Sequence, residues 1–255
     1  MEQHMSEIVT AAFIVIGDEI LSGRTKDKNI GHIADILTSV GVDLKEVRIV
    51  SDDEDAIIDA VNALRARYTY VFTSGGIGPT HDDITADSIS KAFDLPCEHD
   101  VAAIELLRDY YKGRDIEFNE ARQRMARMPK GATHIANPIS IAPGFRIGNV
   151  HVMAGVPSIF RAMLDNVLPT LETGAKLIST TTPCPFGEGI ISTPLGQIQK
   201  DNPEAIIGSY PKLAESGNFM TDIVVRARSE EVLERTTGAV RALVARLLTE
   251  QDTGQ

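Results

Sequence analysis

Apolar residues in the first part of the chain follow two alternating patterns. Short runs of branched and aromatic residues at Val9–Ile16, Val42–Val50 and 68–72 predict buried strands. After each run, apolar side chains recur every three or four residues, which predicts a helix. The order strand, helix, strand, helix, strand, loop, helix predicts a mostly parallel sheet with helices on both faces.

The pattern changes further along the chain. Helical spacing covers residues 119–128, and Pro129 should end that helix. Residues 134–145 are strand-like, and the pair Gly148-Asn149 between two apolar runs predicts a hairpin. The sheet should therefore have an antiparallel part.

The composition changes again near residues 172–174. We place a domain boundary there, with a first domain of residues 1–172 and a small α+β domain of residues 173–255. Its predicted elements are strands at 177–182, 206–210 and 222–227, helices at 193–200 and 232–248, and a stiff connection at 183–185. We assign this domain to oligomerisation or to covering a cleft, and expect a homo-oligomer, either a dimer or a trimer.

Charge and composition exclude several classes of protein. The 255 residues include 36 acidic and 25 basic side chains, and the net charge of -11 opposes non-specific binding to nucleic acid. No apolar run reaches membrane-spanning length. The first seven residues lack the pattern of a signal peptide, so we expect a cytoplasmic protein. Cys97 and Cys184 stand in no metal-binding or redox spacing.

The candidate binding loop spans residues 73–85 and reads Thr-Ser-Gly-Gly-Ile-Gly-Pro-Thr-His-Asp-Asp-Ile-Thr. It joins a predicted strand to a predicted helix, which is where open α/β sheets bind their ligands. Gly75, Gly76 and Gly78 allow positive φ and a close approach of main-chain amides to an anion. Phosphate is the natural candidate.

Two acids follow these glycines. Asp82 and Asp83 would repel a phosphate, by about 4 kcal/mol for each pair of like charges about 4 Å apart at an effective dielectric constant of about 20. A divalent cation shared by carboxylate and phosphate oxygens removes this conflict. We therefore predict that Asp82 and Asp83 bind Mg²⁺, or else Mn²⁺ or Co²⁺. Asp18 and Glu19 follow the first predicted strand in the same sense and could line the same cleft.

Helix capping is the simpler interpretation of several of these polar residues. Asn29 is a candidate N-cap, and Ser51 with Glu54 has the spacing of a capping box. One of Asp82 and Asp83 should cap the helix after the loop, but capping requires neither the second acid nor three glycines.

Several motifs together resemble the CinA-like branch of the molybdopterin-binding MoaB/MogA superfamily. They are Gly17-Asp18-Glu19-Ile20-Leu21-Ser22-Gly23, Asp27 and Asn29, the loop 73–85, and Asn137-Pro138 with Ala142-Pro143-Gly144. The resemblance spans most of residues 9–172. It implies a three-layer α/β/α domain followed by the small second domain of CinA proteins, without the amidohydrolase domain of long CinA forms.

The resemblance also implies roles for individual residues. Asp52 and Asp83 match the acids tied to catalysis in the pterin enzymes, and Ser74, Gly75 and Gly76 match the phosphate-binding turn. The further candidates for ligand contact are Asp18, Glu19, Gly78, Asn137, Pro143 and Gly144. His81 could be a general base or only a solvated loop residue.

Superfamily members bind and adenylylate molybdopterin, whereas CinA-like members are similar to metal-dependent pyrophosphatases that cut ADP-ribose or, in some cases, FAD. The first hypothesis is therefore a metal-dependent nucleotide pyrophosphatase. The alternative is a molybdopterin-binding protein or adenylyltransferase of molybdenum-cofactor biosynthesis, and the third is a non-catalytic sensor. Each takes a small nucleotide or a pterin phosphate as its partner.

Overall fold

The computed structural model describes residues 8–213 and 219–253. Contacts divide the chain into two units, of which the first ends at Gly174 and the second begins at Ala175. The helices and strands of the first unit are β1 (Val9–Ile16), α1 (Asp18–Leu21), α2 (Asn29–Val40), β2 (Val42–Val50), α3 (Glu54–Arg65), β3 (Tyr70–Ser74), α4 (Thr85–Ala92), β4 (Cys97–His99), α5 (Val101–Lys112), α6 (Glu120–Gln123), β5 (Arg127–Pro129), β6 (Thr133–Ile135), β7 (Gly144–Ile147), β8 (Val150–Met153) and α7 (Pro157–Val167).

Six of these strands form one sheet in the order β2-β1-β3-β8-β7-β6. β1 pairs in parallel with β2 and β3, and β3 pairs in parallel with β8. The pairs β7–β8 and β6–β7 are antiparallel. The predicted mostly parallel sheet with an antiparallel part is confirmed, and β1, β2, β3 and β8 all end at the same edge.

The side chains of β1 alternate between two cores, which makes this strand the centre of the unit. Ala12, Ile14 and Ile16 pack on the face covered by α3, α4 and α5. Phe13 and Val15 pack on the opposite face, against α2 and α7. Helices therefore cover both faces of the sheet, and the three-layer α/β/α architecture is confirmed.

The second unit contains β9 (Ile178–Cys184), α8 (Glu188–Asp201), β10 (Ile206–Leu213), β11 (Phe219–Ala227) and α9 (Glu230–Thr253). Its strands form an antiparallel sheet in the order β10-β11-β9. Ile191 of α8 and Val240 of α9 share one core with Ile223 of β11. The unit is the small α+β domain that the sequence predicts. No helix among the described residues is long and apolar enough to cross a bilayer.

Some predicted boundaries are wrong in the first unit. The helix predicted over 119–128 ends at Gln123, and a 3₁₀ turn follows at Arg124–Ala126. β5 then pairs with β4, and burial of Met128 favours this strand over a longer helix. Residues 136–143 form a loop rather than the middle of a strand.

The second unit also departs from the prediction at two prolines. Pro183 belongs to β9, where it pairs with Asp222, so residues 183 and 184 are not part of a connection. α8 begins at Glu188, well before the predicted start at residue 193, and has Pro194 in its interior. The early turn of α8 is retained because it buries Ile191 completely in the core.

The predicted caps of two helices are also wrong. Asn29 is the first residue of α2, and the Asp27 carboxylate takes the capping role by accepting the amides of Asn29 and Ile30 at 3.1 and 2.8 Å. At α3, Asp53 accepts the amide of Ala56 at 2.9 Å, so the cap does not involve Ser51.

Candidate functional site

The loops that follow β1, β2, β3 and β8 enclose a cleft of about 480 Å³ at the common edge of the sheet. Small-molecule sites typically measure about 300–1,000 Å³. Four carboxylates from three of these loops line it: Glu19, Asp52, Asp82 and Asp83. The cleft therefore lies where the candidate binding loop was predicted to act.

The glycine turn after β3 is set by close backbone packing. Gly75 has φ 116°, and a Cβ there would lie 2.1 Å from the carbonyl oxygen of Ile16. Gly76 has φ 67°, and a Cβ there would lie 2.1 Å from Oγ1 of Thr85, which donates to the Gly75 carbonyl at 3.0 Å. Only glycine fits either position without moving its neighbours.

The amides of this turn are not equally available. The Gly75 amide donates to the Met153 carbonyl at 3.1 Å, so it is already used within the protein. The amides of Gly76, Ile77 and Gly78, which line the cleft, donate to no group in the described part of the chain. The donors available to an anion therefore begin at Gly76 rather than at Ser74.

Asp83 organises its own loop. Its Oδ2 accepts the amide and the hydroxyl of Thr80 at 2.8 and 2.6 Å, and a Cβ on Gly78 would lie 2.6 Å from the same oxygen. α4 begins after Ile84 with no side-chain cap, so the prediction that Asp82 or Asp83 caps this helix is wrong. Closing the tight turn at residues 80–83 takes the carboxylate that a cap would need.

Asp52 lines the same cleft from the loop after β2. Its Oδ2 accepts the amide of Asp18 at 3.0 Å. Burial raises the pKa of Asp52 above its ordinary value of 3.8, and the carboxylates of Asp18, Glu19 and Asp82 raise it further, while the Asp18 hydrogen bond acts in the other direction. The surroundings of Asp52 in the cleft therefore disfavour its ionised form.

His81 and Asp82 lie at the outer end of the loop. The Thr80 side chain and the main-chain amide of Asp82 itself lower the pKa of this carboxyl below its ordinary value. The His81 side chain is 99% exposed, and its Nδ1 is 4.0 Å from Asp82 Oδ1. His81 does not line the cleft, and no hydrogen bond orients it within the described residues.

Asn137 shapes one wall without a free polar atom for a ligand. Its Oδ1 accepts the amides of Ile139 and Ser140, both at 3.1 Å. Its Nδ2 donates to Ser140 Oγ and to the Ala142 carbonyl at 2.6 and 2.8 Å. These bonds hold a loop in which Ile141, a branched residue, has φ 67°. Asn137 therefore lines the cleft, but its side-chain hydrogen bonds all go to residues of its own loop.

The remaining candidates do not line the cleft. Pro143 lines an adjoining cavity of about 10 Å³, which is the size of one water molecule. Gly144 is buried in β7, where a Cβ would lie 2.3 Å from the Val152 carbonyl. Ser74 is buried, and neither it nor Asp18 is among the lining residues.

Sequence reasoning missed one polar residue and the apolar wall of the cleft. Asn29 donates from Nδ2 to Ser74 Oγ at 2.8 Å and to the Gly155 carbonyl at 2.9 Å. The apolar residues that line the cleft, called the apolar wall below, are Ile16, Ile77, Met125, Val156 and Ile159. Because a helix was predicted to start near residue 29, the sequence favoured Asn29 as its N-cap. No local pattern reveals its contacts with Ser74 and Gly155, which are far away in the sequence.

The electrostatic balance of the cleft is strongly negative. Among the described residues, no lysine or arginine lines it. Arg124 lines the adjoining cavity, where its Nη2 donates to the Asp83 carbonyl at 3.4 Å. Nor do three or more His, Cys, Asp or Glu side chains of the described chain gather closely enough to hold a metal ion by themselves.

Comparisons with known proteins agree with this architecture. The family described as a probable molybdopterin binding domain matches residues 12–173, and the family described as FAD synthase, middle domain, matches residues 176–251. A protein of Caldivirga maquilingensis is 32% identical over 246 residues, covering 92% of this chain and 96% of the relative. A protein of Saccharolobus islandicus is 36% identical over 242 residues, covering 91% and 90%.

A solved structure of a CinA protein is also similar to this chain, over a share that matches the first unit in length. The protein CinA from Thermoplasma acidophilum is 31% identical and superposes with a TM-score of 0.58, covering 63% of this chain and 96% of that protein. The matched share corresponds in length to the three-layer unit with its cleft.

Proposed function

The chain belongs to the family of probable molybdopterin binding domains, in its CinA-like branch, and we propose that it is a metal-dependent pyrophosphatase acting on a nucleotide with a diphosphate bond. ADP-ribose and FAD are the two candidate substrates. The match of the second unit to the middle domain of FAD synthase supports a nucleotide of this kind.

One observation carries the proposal: carboxylates and unused amides line the same cleft. Asp52, Asp82 and Asp83 are beside Gly76 and Gly78, and no basic side chain of the described residues balances them. A diphosphate placed there meets repulsion of about 4 kcal/mol per pair of charges about 4 Å apart, at an effective dielectric constant of about 20. A divalent cation between protein and ligand turns the same charges into attraction.

The residues present fit such a cation as a shared site rather than a protein cage. Asp82 and Asp83 would hold it, with phosphate oxygens of the substrate completing its coordination, as is usual for Mg²⁺. Oδ1 of Asp83 accepts no hydrogen bond within the described residues and is free for this purpose. The ion would supply charge neutralisation and polarisation of the diphosphate.

The protein groups divide the remaining work. The amides of Gly76, Ile77 and Gly78 donate to phosphoryl oxygens and stabilise the charge that develops on them. Asp52, whose pKa is raised by burial, accepts a proton from the attacking water. The water oxygen bonds to phosphorus, the bridging P–O bond breaks, and the bridging oxygen leaves with the other phosphate. The proposal gives His81 no role, because its side chain is exposed and unoriented.

The apolar wall supports a ligand with a flat ring. Met125, Val156 and Ile159 line the cleft together with Ile77, on the glycine turn itself. A ring system held against this wall orients the diphosphate attached to it, which is the arrangement that an adenine or a flavin offers.

The test is release of AMP from ADP-ribose and from FAD by purified protein, with and without Mg²⁺, Mn²⁺ or Co²⁺. We expect metal-dependent release that Asp83→Asn and Asp52→Asn each reduce at least a hundredfold. Asp53→Asn is the matched control, because Asp53 caps α3 from the neighbouring position and asparagine caps as well as aspartate. Absence of AMP with every metal, or equal rates in all three variants, refutes the proposal.

The second candidate is a pterin-phosphate binder or adenylyltransferase in molybdenum-cofactor biosynthesis. The family description of residues 12–173 favours it, because members are named for molybdopterin binding. It predicts pterin fluorescence that co-purifies with the protein, and AMP transfer from ATP to molybdopterin without cleavage of ADP-ribose. The same purified protein and the same variants distinguish the two candidates.

A further inference from the structure

Asn29 joins two loops that approach the cleft from different strands. The residue is only 3% exposed, and its Nδ2 donates both of its hydrogens, to Ser74 Oγ at 2.8 Å and to the Gly155 carbonyl at 2.9 Å. Ser74 ends β3 directly before the glycine turn, and Gly155 follows β8. Asn29 therefore bridges the turn that carries the free amides and the turn that leads into the apolar wall.

The orientation of this amide is determined by chemistry. A main-chain carbonyl only accepts hydrogen bonds, so Gly155 requires the NH₂ group, whereas the Ser74 hydroxyl accepts or donates. The Asp27 carboxylate holds the Asn29 main-chain amide at 3.1 Å and keeps the side chain at this position. Oδ1 of Asn29 is buried without a partner in the described chain, which is a cost that the two donated bonds offset.

The two loops that Asn29 joins are in direct contact at their glycines. A Cβ on Gly155 would lie 3.3 Å from the Cα of Gly75, so the loops pack backbone to backbone. The Gly75 amide donates to the Met153 carbonyl at 3.1 Å, which continues the pairing of β3 with β8 past Ser74. The spacing between the amides of Gly76–Gly78 and the wall at Val156 depends on these contacts.

We propose that Asn29 is a positioning residue that locks the glycine turn to the loop after β8 and thereby sets the affinity of the cleft for a diphosphate. It contacts neither the ligand nor the reacting atoms, since it does not line the cleft. The ligand part of this inference rests on the proposed function. The mechanical part rests only on the hydrogen bonds and can be measured without a ligand.

A matched control lies at the other end of the sheet. Asn149 also donates two hydrogens from Nδ2 to carbonyls, of Arg65 at 3.0 Å and Tyr68 at 2.9 Å. It lies in the turn before β8, far along the strand from the cleft loops. Asn149→Ala thus removes the same kind of bridge as Asn29→Ala and reports what a merely structural role does.

The first measurement is amide hydrogen exchange on the full chain. We expect Asn29→Ala to speed exchange of the Gly75 amide at least tenfold relative to wild type, and Asn149→Ala to leave it unchanged. Asn29→Asp keeps the volume but places a buried carboxylate against the Gly155 carbonyl, so it should speed exchange at least as much as Asn29→Ala. Unchanged Gly75 exchange in Asn29→Ala overturns the lock.

The second measurement is calorimetric titration with α,β-methylene-ADP and Mg²⁺, a probe whose P–C–P link is not hydrolysed. We expect Asn29→Ala to bind at least tenfold more weakly than wild type and Asn149→Ala to bind as wild type does. Equal affinity of Asn29→Ala and wild type overturns the inference while the proposed function stands. If wild type binds no probe, the proposed function and the ligand role both fail, and hydrogen exchange alone decides the lock.

Discussion

Replacing Gly76 by alanine should destabilise the first unit in two separable ways. Left-handed φ costs an alanine about 1–2 kcal/mol, and Gly76 has φ 67°. In addition, the new Cβ would stand 2.1 Å from Thr85 Oγ1, which is completely buried and donates to the Gly75 carbonyl. Rotating the hydroxyl away leaves it buried and unpaired, at about 1–3 kcal/mol. The total is about 2–5 kcal/mol.

Gly131 separates the two contributions. Its φ is 82°, and a Cβ there meets nothing within 4 Å, so Gly131→Ala should cost only the backbone term. The difference between the two variants is the clash, about 1–3 kcal/mol. In a unit of this size, each kcal/mol lowers Tm by about 2–4 °C.

Calorimetric melting of wild type, Gly76→Ala, Gly131→Ala, Thr85→Ala and the double variant Gly76→Ala/Thr85→Ala tests this reasoning. Removing the Thr85 hydroxyl should make the double variant less destabilised than the sum of the singles, by about 1 kcal/mol or more. Equal losses for Gly76→Ala and Gly131→Ala, together with additive effects in the double variant, would refute it. Loss of probe binding should accompany Gly76→Ala and not Gly131→Ala, because only the first displaces the free amides.

Three further predictions concern other parts of the chain. Burial lowers the pKa of His151 from 6.5 to about 4, so between these two pH values the unfolded chain binds more protons than the folded chain. The contribution of His151 to the free energy of unfolding should therefore be complete above pH 6.5, and about 3 kcal/mol of it should be lost as the pH drops through 4. His151→Phe, which keeps the packing on Phe72, should flatten this dependence in urea unfolding at pH 7 and 4.5. Asp52→Asn should be neutral or stabilising at pH values above the raised pKa of Asp52, because the folded state disfavours the ionised carboxylate. Asp53→Ala should lower the free energy of unfolding by about 1 kcal/mol, because α3 loses its N-cap. Urea unfolding of both variants compares these two effects. Pro194→Ala should raise the melting temperature of the second unit by restoring a hydrogen-bond donor inside α8, and a neutral effect would indicate that the helix begins near residue 193, as the sequence pattern suggested.

Local chemistry explains what the sequence predicted well. The alternation of branched runs and helical spacing identified β1, β2 and β3 and the helices between them, because buried parallel strands require continuous apolar residues. The glycines of the loop 73–85 indicated positive φ, and Gly75 and Gly76 have it, whereas Gly78 does not. The hairpin at residues 148–149 followed from its turn residues.

Competition among polar residues explains what the sequence did not predict. Four residues have side chains that can cap a helix, and capping is the role that local sequence predicts for them: Asp27, Asn29, Asp53 and Asp83. Asp27 and Asp53 cap, whereas Asp83 closes its own turn and Asn29 crosses to β3 and β8. Which partner each side chain takes depends on what the fold brings within about 3 Å.

The amino-acid sequence by itself determined the layers, the parallel strands and the glycine turn, because these follow from periodicity and from the backbone freedom of single residues. Only the tertiary structure decided that Glu19, Asp52 and Asp83 share one cleft, that the free amides begin at Gly76, and that Asn137 and Asn29 support walls instead of offering contacts. These outcomes depend on distances between residues far apart in the chain, which no local pattern encodes.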